Sequence, residues 1–143
     1  MSEEGKLIEI VILKVAAEDY ADIVLEELDI NKDISYKLYR KHTEQSVGVY
    51  IKDLSKLGRD LSKVCIIDNN KDNFSLQPEN GLHICSFLGD QNDDELYSLC
   101  TVLQKIINAN TDDIRPIIKE INENMKRRYD EKDVILEWRV INF

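Results

Sequence analysis

Short apolar runs mark the places where the sequence predicts strands. Residues 7–13 read LIEIVIL, residues 64–67 read VCII and residues 82–87 read LHICSF. Runs of this length, rich in β-branched residues, are typical of strands that a parallel sheet buries on both faces. Residues 35–40 alternate weakly and predict a short edge strand, and residues 47–51 are also strand-like.

Between these runs the apolar residues recur at helical spacing. One apolar stripe lies in residues 17–28, a second in residues 96–107 and a third in residues 114–125. Residues 92–95 (NDDE) read as a capping box for the second helix, and Pro116 suits the first turn of the third. Strands that alternate with helices predict an α/β fold with a mostly parallel sheet, and 143 residues suit one domain.

Composition and charge narrow the classes of function. The chain is 43% hydrophobic and 33% charged with a net charge of −9, which suits a compact domain and disfavours attraction to nucleic acid or anionic lipid. No apolar run approaches the roughly 20 residues that a membrane span requires. The first residues resemble neither a signal peptide nor a presequence. We therefore expect a cytoplasmic or nuclear protein rather than a mitochondrial one.

The cysteines predict no disulfide framework. Cys65, Cys85 and Cys100 are widely spaced, and each lies in an apolar segment. An odd number of thiols without a Cys-x-x-Cys pair favours neither disulfides nor a metal cluster. We expect these thiols to be buried.

Candidate chemistry lies at the ends of two predicted strands, where open parallel sheets form their sites. Asp68 and Asn69 directly follow residues 64–67, and a carboxylate beside an amide offers oxygen ligands of the kind that Mg²⁺ accepts. Lys52 follows residues 47–51, and a lysine there can neutralise a bound phosphate. Taken alone, the first feature is more typical of a turn and the second of solvated surface.

Joined together, these segments resemble a known family. Residues 49–64 read VYIKDLSKLGRDLSKV, residues 66–69 read IIDN and residues 76–81 read LQPENG. This order closely resembles the small C-terminal-domain phosphatases, also called NLI-interacting-factor-like phosphatases, of the haloacid dehalogenase superfamily. The likeness covers about residues 7–120 and implies a three-layer α/β fold, a parallel sheet flanked by helices. The LQPEN and LSKV runs also resemble the mitochondrial inner-membrane translocase subunit that uses this domain without needing catalysis.

The resemblance implies roles for three residues. Lys52 would hold the phosphoryl group, Asn69 would bind Mg²⁺, and Asp68 would orient Lys52 and the metal shell. The family hydrolyses phosphoserine or phosphothreonine in protein tails by a Mg²⁺-dependent route through a phospho-aspartate. The resemblance therefore makes Mg²⁺ the expected cofactor.

Three departures from the family pattern put catalysis in doubt. The family's Asp-x-Asp-x-Thr nucleophile motif has no counterpart before residue 7, and residues 28–31 (LDIN) fall in the wrong place to replace it. Lys14 stands where the family has a Thr or Ser that contacts the phosphoryl group. Residues 70–73 (NKDN) replace a proline-containing turn. Without a nucleophile the covalent route has no first step.

The missing motif also removes the central strand that the family places between residues 7–13 and residues 64–67. Unpaired inner edges would cost about 1 to 3 kcal/mol for each buried polar group. Three arrangements could close the gap: a strand donated by a partner or a second copy, direct pairing of the two edges, or a longer gene product.

We divide the chain into a phosphatase-type domain, residues 1–127, and a tail, residues 128–143. As a hypothesis, the tail inserts as a replacement strand; an edge strand or a loose tail is the favoured alternative.

We therefore predict a protein with a phosphatase fold that is inactive by itself and binds phosphorylated segments or partner proteins. One alternative is an active protein phosphatase whose chain is completed or complemented in trans. The other is a non-catalytic scaffold of the translocase type. The sequence names no substrate and predicts no nucleic acid partner and no membrane span.

Overall fold

The computed structural model describes residues 8–15, 18–84, 95–130 and 140–142. Strand β1 (Ile10–Leu13) and strand β2 (Ile34–Leu38) pair in parallel, and helix α1 (Glu18–Leu28) lies between them in the chain. The acidic side chains in the first turn of α1 suit the positive end of the helix dipole. The first predicted strand and the predicted edge strand are thus both present.

A short antiparallel hairpin follows, formed by β3 (Glu44–Ser46) and β4 (Val49–Ile51). The strand that the sequence predicts from residue 47 begins at residue 49 instead. The reason is the turn: Val47 and Gly48 take φ values of 48° and 79°. Positive φ at both central positions is typical of a type I′ hairpin turn, and Val47 therefore lies in the turn and is fully exposed.

Strand β5 (Val64–Asp68) is buried along its whole length. It pairs in parallel with β6 (Gly81–His83) and, on its other side, antiparallel with β7 (Val140–Asn142). The third predicted strand is therefore present as β6, although residues 85–87 lie outside the described part of the chain.

Helices α2 (Glu95–Ala109) and α3 (Arg115–Asp130) form the core that covers β5 and β6. The backbone N–H of Arg115 donates to Asp113 Oδ1 at 3.0 Å and caps the start of α3. Residues 92–94 of the capping box predicted at residues 92–95 lie outside the described residues, and α2 is described from Glu95. The core of this layer consists of Cys65, Ile67, Leu82, Ile84, Ile106, Ile114, Ile118 and Ile121.

The thiols follow the prediction only in part. Cys65 is fully buried in β5, which raises the pKa of its thiol because burial disfavours the thiolate. Cys100 is exposed, so the expectation of a buried thiol is wrong there. It lies on the outer face of α2, beside the exposed Gln104, while Leu99, Leu103 and Ile106 face the core. Cys85 lies outside the described residues.

In the described residues the main sheet consists of two hydrogen-bonded parts, β1–β2 and β6–β5–β7. Strand β7 joins them, because it pairs with β5 and also contacts β1. Strand β7 is therefore the edge strand of the β6–β5–β7 part. It also lies between β1 and β5, which is where the hypothesis of an inserted tail requires a strand. Residues 131–139, which include Glu137 and Trp138, lie outside the described part of the chain.

A second apolar cluster links β1 to β5. It consists of Leu13, Leu54, Val64, Ile66 and Phe74. The proposed domain boundary after residue 127 falls inside α3 and stays a prediction. None of the described helices is both long and apolar enough to cross a membrane.

Candidate functional site

The candidate site is built around a buried ion pair between Lys52 and Asp68. Lys52 directly follows β4, and Asp68 is the last residue of β5. Lys52 Nζ donates to Asp68 Oδ2 at 2.6 Å, and the two side chains are 8% and 2% exposed. Removing one partner of such a pair typically costs about 3 to 5 kcal/mol, because the other charge stays buried and uncompensated.

Asn73 holds both members of this pair, and sequence reasoning missed it. Its side-chain amide donates to both carboxylate oxygens of Asp68, at 3.3 and 3.2 Å. Its backbone carbonyl accepts the N–H of Lys52 at 2.7 Å. The backbone N–H of Asn70 donates to Asp68 Oδ1 at 2.9 Å. The only sequence signal was the polar run at residues 70–73, which appeared as a departure from the family turn.

The segment that carries Lys52 is fixed by a second set of hydrogen bonds. Asp53 Oδ1 accepts the N–H of Ser55 at 3.0 Å and the side-chain amide of Gln77 at 2.9 Å. Gln77 Oε1 in turn accepts the N–H of Leu54 at 3.0 Å. The hydrogen bonds from Ser55 and then from Gln77 lower the pKa of Asp53. This is why the KDL and LQPEN motifs, 24 residues apart at Asp53 and Gln77, act together.

Asn69 lies next to the ion pair and is tied to β6. Its backbone carbonyl accepts a hydrogen bond from His83 Nε2 at 2.7 Å. His83 is half-buried, and burial lowers its pKa. Lys14, the predicted phosphate contact, directly follows β1, and its N–H donates to the carbonyl of Leu38 at 2.9 Å. The structure therefore brings Lys52, Asp68 and Asn69 together, whereas Lys14 lies on the β1–β2 part of the sheet.

Mg²⁺ is a poor match for the described residues by themselves. Among them, no group of three or more His, Cys, Asp or Glu side chains could hold a metal ion. The Asp68 carboxylate already accepts hydrogen bonds from Lys52, Asn70 and Asn73. In enzymes, Mg²⁺ is usually bound by one or two carboxylates together with phosphate groups of the substrate. Haloacid-dehalogenase-type phosphatases generally use Mg²⁺, but the donor set described in this chain is incomplete.

The fold and the buried Lys–Asp pair at a strand end define a phosphatase scaffold of the haloacid dehalogenase type. The sequence model described as "NLI interacting factor-like phosphatase" matches residues 2–115. The chain belongs to this family. The suspected family and fold class are thereby confirmed.

The curated relatives fall into two groups by name. "CTD small phosphatase-like protein 2" of Dictyostelium discoideum is 41% identical over 80% of this chain and 20% of its own length. "CTD small phosphatase-like protein 3" of Caenorhabditis elegans is 34% identical over 99% of this chain and 47% of its own. "Mitochondrial import inner membrane translocase subunit TIM50" of Kluyveromyces lactis is 39% identical over 82% of this chain and 25% of its own. The chain thus spans less than half the length of these relatives.

Proposed function

We propose that this chain is a binding module with a phosphatase fold, which recognises a phosphorylated protein segment and does not turn it over by itself. The observation that carries the proposal is the buried Lys52 ammonium, 2.6 Å from a single carboxylate at the carboxyl end of β5. An ammonium has three N–H donors, and charge-assisted hydrogen bonds to phosphate oxygens are among the strong ones. Lys52 is therefore the proposed phosphoryl-binding residue.

We propose no turnover because the chain offers no carboxylate that fits the role of the nucleophile. The 143 residues contain no Asp-x-Asp-x-Thr motif. We do not assign Asp68 as the nucleophile, because its carboxylate is buried in the pair with Lys52 and accepts further hydrogen bonds from Asn70 and Asn73. Its proposed role is to hold Lys52 in place. Asn69 stays the proposed Mg²⁺ ligand and Lys14 a proposed phosphate contact. We expect weak Mg²⁺ binding, because no group of three or more metal-binding side chains is present among the described residues.

Binding of a labelled phosphoserine peptide tests the role of Lys52. Lys52→Met alone would leave Asp68 buried and unpaired, so Lys52→Met is combined with Asp68→Asn. We expect the double variant to lose affinity by at least about tenfold, since a hydrogen bond to a charged group is worth about 1.5 to 3 kcal/mol. The matched control is Lys56→Met, which removes an exposed lysine paired with Glu44. Equal loss in both would contradict the assignment.

An active phosphatase, completed or complemented in trans, is the second candidate. It is favoured by the relatives that are named as phosphatases. The test is hydrolysis of an aryl phosphate by the purified chain with and without Mg²⁺. Activity that Asn69→Ala abolishes would refute the non-catalytic proposal, whereas no activity in a folded chain supports it.

A scaffold of the translocase type is the third candidate. It is favoured by the relatives named as mitochondrial import inner membrane translocase subunits. We expect the protein in the cytoplasm or nucleus, and fluorescence microscopy of the tagged protein tests this directly. Mitochondrial signal would support the scaffold and contradict the expected location.

A further inference from the structure

The peptide group between Asn69 and Asn70 connects the buried ion pair to strand β6. Its carbonyl, that of Asn69, accepts a hydrogen bond from His83 Nε2 at 2.7 Å, and its N–H, that of Asn70, donates to Asp68 Oδ1 at 2.9 Å. A trans peptide group carries its C=O and N–H on opposite sides, so His83 and the Asp68 carboxylate hold it from two directions. Because a carbonyl oxygen can only accept, Nε2 is the ring nitrogen that carries the hydrogen.

The register of the sheet brings His83 to this place. Strands β5 and β6 pair in parallel, and Asp68 lies opposite His83. The backbone N–H of Ile84 donates to the carbonyl of Asp68 at 3.1 Å, so the pairing continues to the end of both strands. The imidazole therefore stands beside the last residue of β5 and contacts the carbonyl of the residue that follows it.

The outer edge of β6 is held by Asn122 of α3. Its side-chain oxygen accepts the backbone N–H of His83 at 3.2 Å, and its side-chain amide donates to the carbonyl of Gly81 at 2.7 Å. One side chain thus pairs with the two backbone groups that an adjoining strand would use. Phe74 packs so closely on Gly81 that a Cβ atom there would overlap its ring. Strand β6, and His83 with it, is therefore fixed in position.

These contacts form one chain of hydrogen bonds that ends at Lys52. From Asn122 it passes through His83 and the peptide group to Asp68 Oδ1, and Asp68 Oδ2 accepts Lys52 Nζ at 2.6 Å. Hydrogen bonds that share a peptide group or a carboxylate polarise and strengthen one another. Loss of the His83 donor would thus weaken the hold on Oδ1 and free the carboxylate to turn relative to Lys52.

We propose that His83 is a positioning residue of the phosphate-binding site and that Asn122 holds it in place. His83 acts through the peptide group on Asp68, and Asp68 directs the Lys52 ammonium towards the phosphoryl group of a phosphoserine segment. Its effect on the ligand rests on the proposed function, whereas the chain of hydrogen bonds does not. The site then includes a residue of α3, which lies beyond residues 2–115 that the family model matches.

Hydrogen exchange of single backbone amides, followed by NMR, tests this chain of hydrogen bonds without a ligand. In His83→Leu the donor is lost, and we expect the amide of Asn70 to exchange at least about tenfold faster. His83→Gln supplies a side-chain N–H in place of Nε2 and should restore slow exchange. The amide of Ile118, which donates to the carbonyl of Ile114, is the reference for a general loss of stability.

Anisotropy of the labelled phosphoserine peptide tests the effect on Lys52. We expect His83→Leu to weaken binding by about fivefold, less than the Lys52→Met/Asp68→Asn chain, because Asn73 still donates to the carboxylate. His83→Gln should bind like the unchanged chain, and Asn122→Ala should weaken binding by about threefold. The matched control is Asn108→Ala, which changes an exposed asparagine of α2 and should have no effect.

Unchanged exchange of the Asn70 amide in a folded His83→Leu chain would overturn the proposal. Equal acceleration at Asn70 and Ile118 would do so too, because the histidine would then act only on overall stability. So would a His83→Gln chain that behaves like His83→Leu. If circular dichroism shows His83→Leu unfolded, Asn122→Ala is measured in its place, with faster exchange at Asn70 as the expected result. An unchanged chain that binds no phosphoserine peptide would contradict the proposed function, and the exchange rates would then decide on the role of His83.

Discussion

Asn73 makes two contacts that fix the positions of Lys52 and Asp68 relative to each other. Its side-chain amide donates to the Asp68 carboxylate, and its backbone carbonyl accepts the N–H of Lys52. An amide suits this place because its NH₂ group can donate to both carboxylate oxygens of Asp68. At the scale of single residues the site therefore depends on a side chain that carries no charge.

Asn73→Asp should destabilise the protein by about 2 to 3 kcal/mol, because it replaces a donor with a second carboxylate about 3 Å from Asp68. Phosphoserine peptide affinity should fall with it, since Lys52 would then be shared between two acids. Urea unfolding and anisotropy measure the two effects. Asn108→Asp, an exposed change on α2, is the control, and an equal effect there would contradict the role of Asn73.

Asp53 should make stability depend on pH in the acid range. Its pKa in the folded chain lies below the ordinary value of 3.8, because Ser55 and Gln77 donate hydrogen bonds to the carboxylate. The stabilisation is present above about pH 4 and is lost as the pH falls through the lowered pKa. Asp53→Asn keeps a cap oxygen without the charge. The free energy difference between the two proteins should narrow below pH 4, and a constant difference from pH 7 to pH 2.5 would contradict the assignment.

The β3–β4 hairpin contains a strained backbone conformation at Val47 in its turn. The β3–β4 turn places Val47 at φ 48°, a left-handed conformation that costs an L-residue about 1 to 2 kcal/mol and is least suited to a β-branched one. Val47 is fully exposed and gains no packing in return. The strain is therefore a property of the turn and not of the core.

Val47→Asn should stabilise the chain by about 1 kcal/mol, because Asn-Gly is the favoured pair for a two-residue hairpin turn. Urea denaturation measures the change in the free energy of unfolding. Val47→Ala is the control, since Ala loses the branched side chain but keeps the penalty for positive φ. If Val47→Asn and Val47→Ala have the same stability, the turn is not strained in solution.

At the scale of the whole molecule, β7 and the cluster around Leu54 connect the two parts of the sheet. Cys65 lies on β5 opposite Ile141 of β7, and its side chain is fully buried in the core that α2 and α3 form. The accessibility of its thiol thus reports whether the layer of α2 and α3 opens from β5. Cys100, exposed on α2, provides an internal reference.

In a Cys85→Ser chain, Cys100 should react quickly with a thiol reagent, whereas Cys65 should react only at the rate of opening. The expected difference is at least about 100-fold, because reaction needs both an open state and deprotonation of a thiol whose pKa burial raises. Absorbance of the released thiolate follows both phases. Equal rates would show that Cys65 is accessible and that α2 and α3 do not cover it.

The sequence by itself determined the family and most of the strands and helices, whereas the contact between Lys52 and Asp68 was expected only from the family resemblance. Apolar runs and helical stripes predict the strands and helices because burial imposes their periods. The KDL and IIDN runs placed Lys52 and Asp68 at strand ends, and the two side chains meet at 2.6 Å. Their roles in binding phosphate stay predictions.

Only the tertiary structure decided three features. Asn73 contacts Asp68 because a 3-10 turn, Lys71–Phe74, brings it back towards β5. Cys100 is exposed because the rotation of α2 on the core places it outside. Strand β7 lies between β1 and β5, and no local sequence pattern could predict this placement. A buried strand edge pairs with whichever distant segment can satisfy its backbone N–H and C=O groups, and only the tertiary structure shows which segment does so.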